Sequence, residues 1–247
     1  MPRYDRDGIG LHFELAGPDD GTPTLMLHGF ASDYRLNWVG SRWQEALTSA
    51  GRLVVGLDLR GHGESSKPHD PGAYGQPLMA TDCVGLLDHL GIGRADLVGY
   101  SMGARVALRL AFEHPDRVWR AVLGGPGRPG GPGIERAIAD VLRGRRPPEN
   151  AVTRLFREFA GARPVNDLEA LACCIEGFRP DLSAAELTSI KTPTLVVEGE
   201  REDIAPGGLA LAELLPEAEA MVLEGRTHLT AVTAQAFKEA AIAFLDR

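Results

Sequence analysis

Cysteine is scarce in this chain: three thiols, Cys83, Cys173 and Cys174, in 247 residues. An odd count with an adjacent pair does not make a disulfide framework. The three are expected as small buried hydrophobes in a reducing, cytoplasmic compartment. Long apolar runs are also missing. No stretch approaches the length needed to cross a bilayer, and the opening "MPRYDRDGIG" has no apolar segment of the secretory type. An excess of basic residues is missing too. The net charge is −8, which argues against nucleic acid or an anionic membrane as a partner and predicts solubility. Internal repeats and low-complexity tails are absent, and nothing in the sequence sets an oligomeric state.

What is present fits one α/β domain with a single core. The composition, 44% hydrophobic and 24% charged, is that of an ordinary globular enzyme or binding domain. "TLMLH" (24–28), "RLVVGLD" (52–58), "ADLVGY" (95–100), "RAVLGG" (120–125), "TLVVEG" (194–199) and "AMVLEG" (220–225) read as strands. They are continuous rather than alternating, the pattern of strands covered on both faces of a parallel sheet. "GIGLHFELAG" (8–17) alternates better and reads as an edge hairpin. Helical patterns fill 41–50, 78–90, 103–113, 207–214 and 231–245. Strand and helix in alternation predict a doubly wound, mostly parallel sheet whose ligands sit beyond the carboxyl ends of the strands.

One region breaks the alternation. After "RAVLGG" comes "PGRPGGPG" (126–133), a hinge-like stretch, and then three helical faces without a strand between them. The faces are Ile134, Ile138, Val141 and Leu142; Val152, Leu155, Phe156 and Phe159; and Leu168, Leu171, Ile175 and Phe178. Residues 126–191 are therefore expected to form a small helical lid inserted after the sixth strand. Residues 1–125 and 192–247 form the core.

The strongest chemical signal is Gly99-Tyr100-Ser101-Met102-Gly103, a G-x-S-x-G between a strand and a helix. A serine there sits on a strained turn with its hydroxyl at the carboxyl edge, and flanking glycines let the backbone pass close by. With "LHGFASD" (27–33), "DLRGHGESSKP" (58–68), "TLVVEGEREDIAP" (194–206) and "GRTHLT" (225–230), the chain resembles serine hydrolases of the α/β-hydrolase fold. The likeness is to the bacterial esterase-like branch with an H-G-F loop and covers nearly the whole length. It implies the α/β-hydrolase fold, hydrolysis of an acyl bond in a small-molecule substrate, and no cofactor.

A serine nucleophile needs a base, and the base needs an acid to orient it. In this fold their order is nucleophile, acid, base. His12, His28, His62, His69 and His89 precede Ser101, and His114 ends a helix away from the carboxyl edge, which leaves His228 as base. The acid falls within "EGEREDIAP". By register the resemblance points to Glu202, three residues after Gly199 and four before Pro206. By side-chain type Asp203 is the better match, one residue late. Glu202 is favoured, Asp203 is the substitute, and Glu200 is read as surface charge. The oxyanion donors are the N–H of Met102 and, by resemblance, that of Phe30, whose ring is left to line the pocket with Phe156 and Phe159. His28 is read as a brace for that loop, and Asp58, Arg60 and His62 as a turn scaffold.

The expected activity is cleavage of an ester-like bond in a small to medium, partly apolar substrate. Lactonases, thioesterases, carbon–carbon bond hydrolases and perhydrolases share such a triad, and a ligand-binding relative without catalysis is the reading from another class. Haloalkane dehalogenases and epoxide hydrolases use an aspartate where this chain has Ser101.

Overall fold

The Leu- and Val-rich runs do form the centre of a sheet. The computed structural model describes residues 2–127, 134–179 and 181–247. Eight strands make one sheet: β1 (Arg3–Arg6), β2 (Ile9–Ala16), β3 (Thr22–Leu27), β4 (Arg52–Leu57), β5 (Ala95–Tyr100), β6 (Val118–Gly124), β7 (Thr194–Gly199) and β8 (Ala218–Leu223). Their order is β1-β2-β4-β3-β5-β6-β7-β8. The β1/β2 and β2/β4 pairs are antiparallel, and every other pair is parallel. Every residue of β5 and β7 is buried, as continuous apolar strands should be, whereas β8 at the edge is largely open.

A π-helical turn (Arg35–Val39) leads into α1 (Trp43–Ser49), followed by α2 (Gln76–His89) and α3 (Met102–Glu113). Between β6 and β7 lie α4 (Ile134–Leu142), α5 (Ala151–Gly161), α6 (Leu168–Gly177) and α7 (Ala184–Ser189); the C-terminal part carries α8 (Gly208–Ala212), α9 (His228–Ala231) and α10 (Gln235–Leu245). Successive strand residues point to opposite faces, so the core divides in two. Leu25, Leu27 and Leu97 pack on one side with α2 and α3. Met26 and Val98 pack on the other with Trp38, Trp43 and Phe237, whose rings meet edge to face at 5.6 and 4.8 Å. No helix among the described residues is long and apolar enough to cross a membrane.

Three expectations need correction. The hairpin is not confined to 8–17. Its first strand is β1, and the turn is Asp7-Gly8, both at positive φ (53° and 81°), the geometry that a two-residue D-G turn favours. The single helix expected over 231–245 is broken, because Ala234 is extended and α9 stops before α10 begins. The insert holds a fourth helix, α7, started by a reciprocal Ser183–Glu186 capping box. Of the hinge-like "PGRPGGPG", residues 128–133 lie outside the described residues.

The feature that positions the site is a close approach. A Cβ on Gly103, in the first turn of α3, would lie 2.0 Å from the Leu27 carbonyl oxygen, and one on Gly99 would lie 2.6 Å from that of Gly103. Backbone cannot yield as a flexible side-chain tip can. Gly103→Ala should therefore cost about 3 kcal/mol or more, read as a lower midpoint in chemical denaturation.

Candidate active site

Ser101 joins β5 to α3 at φ 53° and ψ −115°, a conformation costly for any residue with a Cβ. Its own N–H donates to the Gly124 carbonyl of β6 (2.8 Å), one contact that holds the strain in place. The serine lines a cavity of about 370 Å³ at the carboxyl edge. His228 lines the same cavity from the first residue of α9. It is only 5% exposed. Its carbonyl accepts the Tyr100 hydroxyl, so the residue before the serine holds the histidine's backbone. Among the described residues, Ser101 Oγ and His228 are not hydrogen-bonded to each other; such contacts often tighten only when substrate arrives.

His228 Nδ1 lies 2.9 Å from the carboxylate of Glu202. That carboxylate also accepts the N–H groups of Ile204 (3.0 Å) and Ala205 (2.9 Å). Its side chain is 4% exposed. Burial pushes its pKa up, but His228 and the two N–H donors outweigh burial and leave it below the usual value. An ionised carboxylate on Nδ1 fixes the tautomer, with Nε2 free for the cavity. Asp203 is exposed and makes no such contact, and Glu200, also exposed, accepts the Gly225 N–H (2.7 Å).

The H-G-F loop supplies the opposite wall. His28 Nδ1 donates to the Gly29 carbonyl (2.8 Å) and Nε2 accepts the Leu59 N–H (3.0 Å). Both ring nitrogens are used and burial lowers its pKa, so it is a neutral brace. The N–H groups of Phe30 and Met102 have no protein acceptor among the described residues. The Phe30 ring stands edge-on to Phe156 of α5 at 5.5 Å. Leu155, Phe156 and Phe159 all line the cavity. Asp58 accepts the N–H groups of Tyr34 and Glu64 and the His12 ring, and Arg60 is bidentate to Asp82. These residues hold the turn after β4 and do not line the cavity.

Two participants were not foreseen from the sequence. Asn37, on the π-helical turn, lines the cavity and accepts the Gly29 N–H (3.0 Å) through Oδ1. Tyr100 was visible as the second residue of the motif, but its tether to His228 spans 128 positions, a contact no local pattern announces.

Comparison with known proteins places this arrangement in a class. Residues 22–170 match the family described as alpha/beta hydrolase fold. The chain belongs to that family and is an α/β hydrolase. A dihydrolipoyllysine-residue acetyltransferase component of acetoin cleaving system from Pseudomonas putida is 33% identical over 255 residues. That match covers 95% of this chain but 66% of the relative, so the chain spans just under two thirds of its length. A 2-hydroxymuconate semialdehyde hydrolase from Pseudomonas putida is 31% identical, with 90% of this chain and 86% of the relative covered. Among solved structures, the enol-lactonase from Burkholderia xenovorans LB400 superimposes with a TM-score of 0.84 at 25% identity, covering 100% of both chains.

His62 yields a test of the site's electrostatics. Its Nδ1 donates to the Arg60 carbonyl (3.1 Å), and its buried Nε2 has no partner among the described residues. Burial first, and then the neighbouring His28, push its pKa down to about 3. An unfolded chain takes up this proton near 6.5, whereas the folded chain refuses it until about pH 3. Acidification through that window therefore favours unfolding. In urea titrations between pH 6 and 4, His62→Gln should lower the slope of stability against pH by up to about 1.4 kcal/mol per unit.

Proposed function

We propose that the chain is a serine hydrolase that cleaves an ester-like acyl bond. The observation that carries this reading is the Glu202–His228 contact, with His228, Ser101 and Phe30 lining one cavity and the Phe30 and Met102 N–H groups without an acceptor among the described residues. Ser101 Oγ attacks the substrate carbonyl carbon while His228 Nε2 takes its proton. The N–H groups of Phe30 and Met102 receive the oxyanion. Collapse expels the leaving group, which takes the proton from His228, and leaves an acyl-enzyme. Water then attacks with the same proton relay, the acid is released and Ser101 regains its hydrogen. Glu202 holds the imidazole tautomer and stabilises its cation, and Asp203 has no part.

The substrate is a small molecule with an apolar acyl part, consistent with a cavity walled by Leu155, Phe156, Phe159, Ile204 and Val232. The helices at 126–191 act as the lid that closes it. A lactone is an internal ester, and likeness to an enol-lactonase makes lactone opening the second reading. The three buried thiols fit a cytoplasmic setting.

A fluorophosphonate should label wild-type protein stoichiometrically and fail on Ser101→Ala; labelling of that variant would place the nucleophile elsewhere. Glu202→Gln should lower turnover of p-nitrophenyl acetate by up to ~10⁴-fold, and Asp203→Asn should leave it nearly normal. The reverse result would make Asp203 the acid. Phe156→Trp or Phe159→Trp should shift preference towards short acyl chains by about tenfold relative to acetate, since one or two methylenes in an apolar pocket are worth that much. A uniform loss across chain lengths with a lower melting temperature would reduce these rings to lid packing.

A further inference from the structure

The connection between α5 and α6 reaches the loop that carries Phe30. Arg163 makes an ion pair with Asp33, and its second terminal nitrogen lies 3.5 Å from the Ala31 carbonyl. Asn166 Nδ2 donates to that carbonyl (3.1 Å) and to Ala160 at the end of α5 (3.2 Å). Asp33 uses its other oxygen to accept the Leu36 N–H (2.7 Å), which starts the π-helical turn bearing Asn37. Asn37 in turn accepts the Gly29 N–H. Ala31 sits at φ 59°, unusual for a residue with a Cβ. The Phe30 N–H, which has no acceptor among the described residues, is thus bracketed by a fixed Gly29 N–H on one side and a fixed Ala31 carbonyl on the other. Asp33 is 7% exposed, so an ion pair lost there leaves a carboxylate largely removed from water.

We propose that Arg163 and Asn166 are positioning residues for the oxyanion hole: the insert, docked through Asp33 and the Ala31 carbonyl, sets the direction of the Phe30 N–H. This rests on the serine-hydrolase reading. Docking of the insert and assembly of the hole are then one event, and the geometry is complete only while the α5–α6 connection is seated.

The test uses p-nitrophenyl acetate and a phenyl trifluoromethyl ketone, whose serine adduct carries an oxyanion that a ground-state ligand lacks. Arg163→Met should lower kcat by about tenfold to a hundredfold, less than or equal to the loss of an oxyanion donor. The ketone's Ki should rise by a similar factor, while KM moves by less than about twofold. Arg163→Lys should recover part of the loss, because an ammonium can meet Asp33 but does not present the fork that also reaches the Ala31 carbonyl. Where Arg163→Met does not fold, Asn166→Ser carries the same test through the carbonyl alone. An unchanged Ki and kcat, or a loss confined to KM and melting temperature, would overturn the proposal and leave the serine-hydrolase reading standing. A wild-type protein that neither binds the ketone nor hydrolyses the ester would overturn both.

Discussion

The Leu27 carbonyl occupies the space that a side chain on Gly103 would need, and the placement of the serine follows from that contact. With α3 pressed so closely on the end of β3, the chain leaving β5 has room only for a sharp reversal, and Ser101 takes its unfavourable backbone angles there. Strain persists when surrounding contacts over-determine it. Here the Gly124 carbonyl, the glycine packing and the buried strand β5 do so together. The same reversal leaves the first N–H of α3 without an upstream carbonyl. One constraint therefore lifts the hydroxyl above the sheet and frees the Met102 donor beside it.

Charge is placed sparingly around this point. His28 and His62, both fully buried, are kept neutral by removal from water. Glu202 is buried as a carboxylate with an imidazole and two N–H groups to compensate its desolvation, as Asp33 is compensated by Arg163. Removing one partner of such a cluster leaves a charge that neither solvent nor protein satisfies. The cavity wall beyond it is mostly apolar, so the few dipoles that remain act with little screening.

Much of this was legible because it is local. Continuous Val/Leu runs mark strands, and all six appear within two residues of where they were read, although β8, at the sheet edge, is largely open rather than covered on both faces. The spacing of Gly99, Ser101 and Gly103 carries its own steric reason. The position of Glu202 could be counted from Gly199 and Pro206, but its contact with His228, and the absence of one from Asp203 among the described residues, could not be read from the sequence. What escaped was non-local or irregular. β1 is a four-residue strand of polar character, and the π-helical turn has no periodic signature. Arg163 and Asn166 carry no local signal, because their partners lie 130 and 135 positions away.

The bond from the Tyr100 hydroxyl to the His228 carbonyl has a further meaning. It joins the neighbour of Ser101 to the backbone of His228, 128 positions away in the chain. A rearrangement of α9 that keeps this bond must carry the β5–α3 junction with it. Glu202 reaches the imidazole from a separate loop, and its buried carboxylate is held there by the Ile204 and Ala205 N–H groups. Ser101 and His228 are thus coupled through the Tyr100 hydroxyl and backbone, whereas Glu202 is coupled to His228 through its carboxylate.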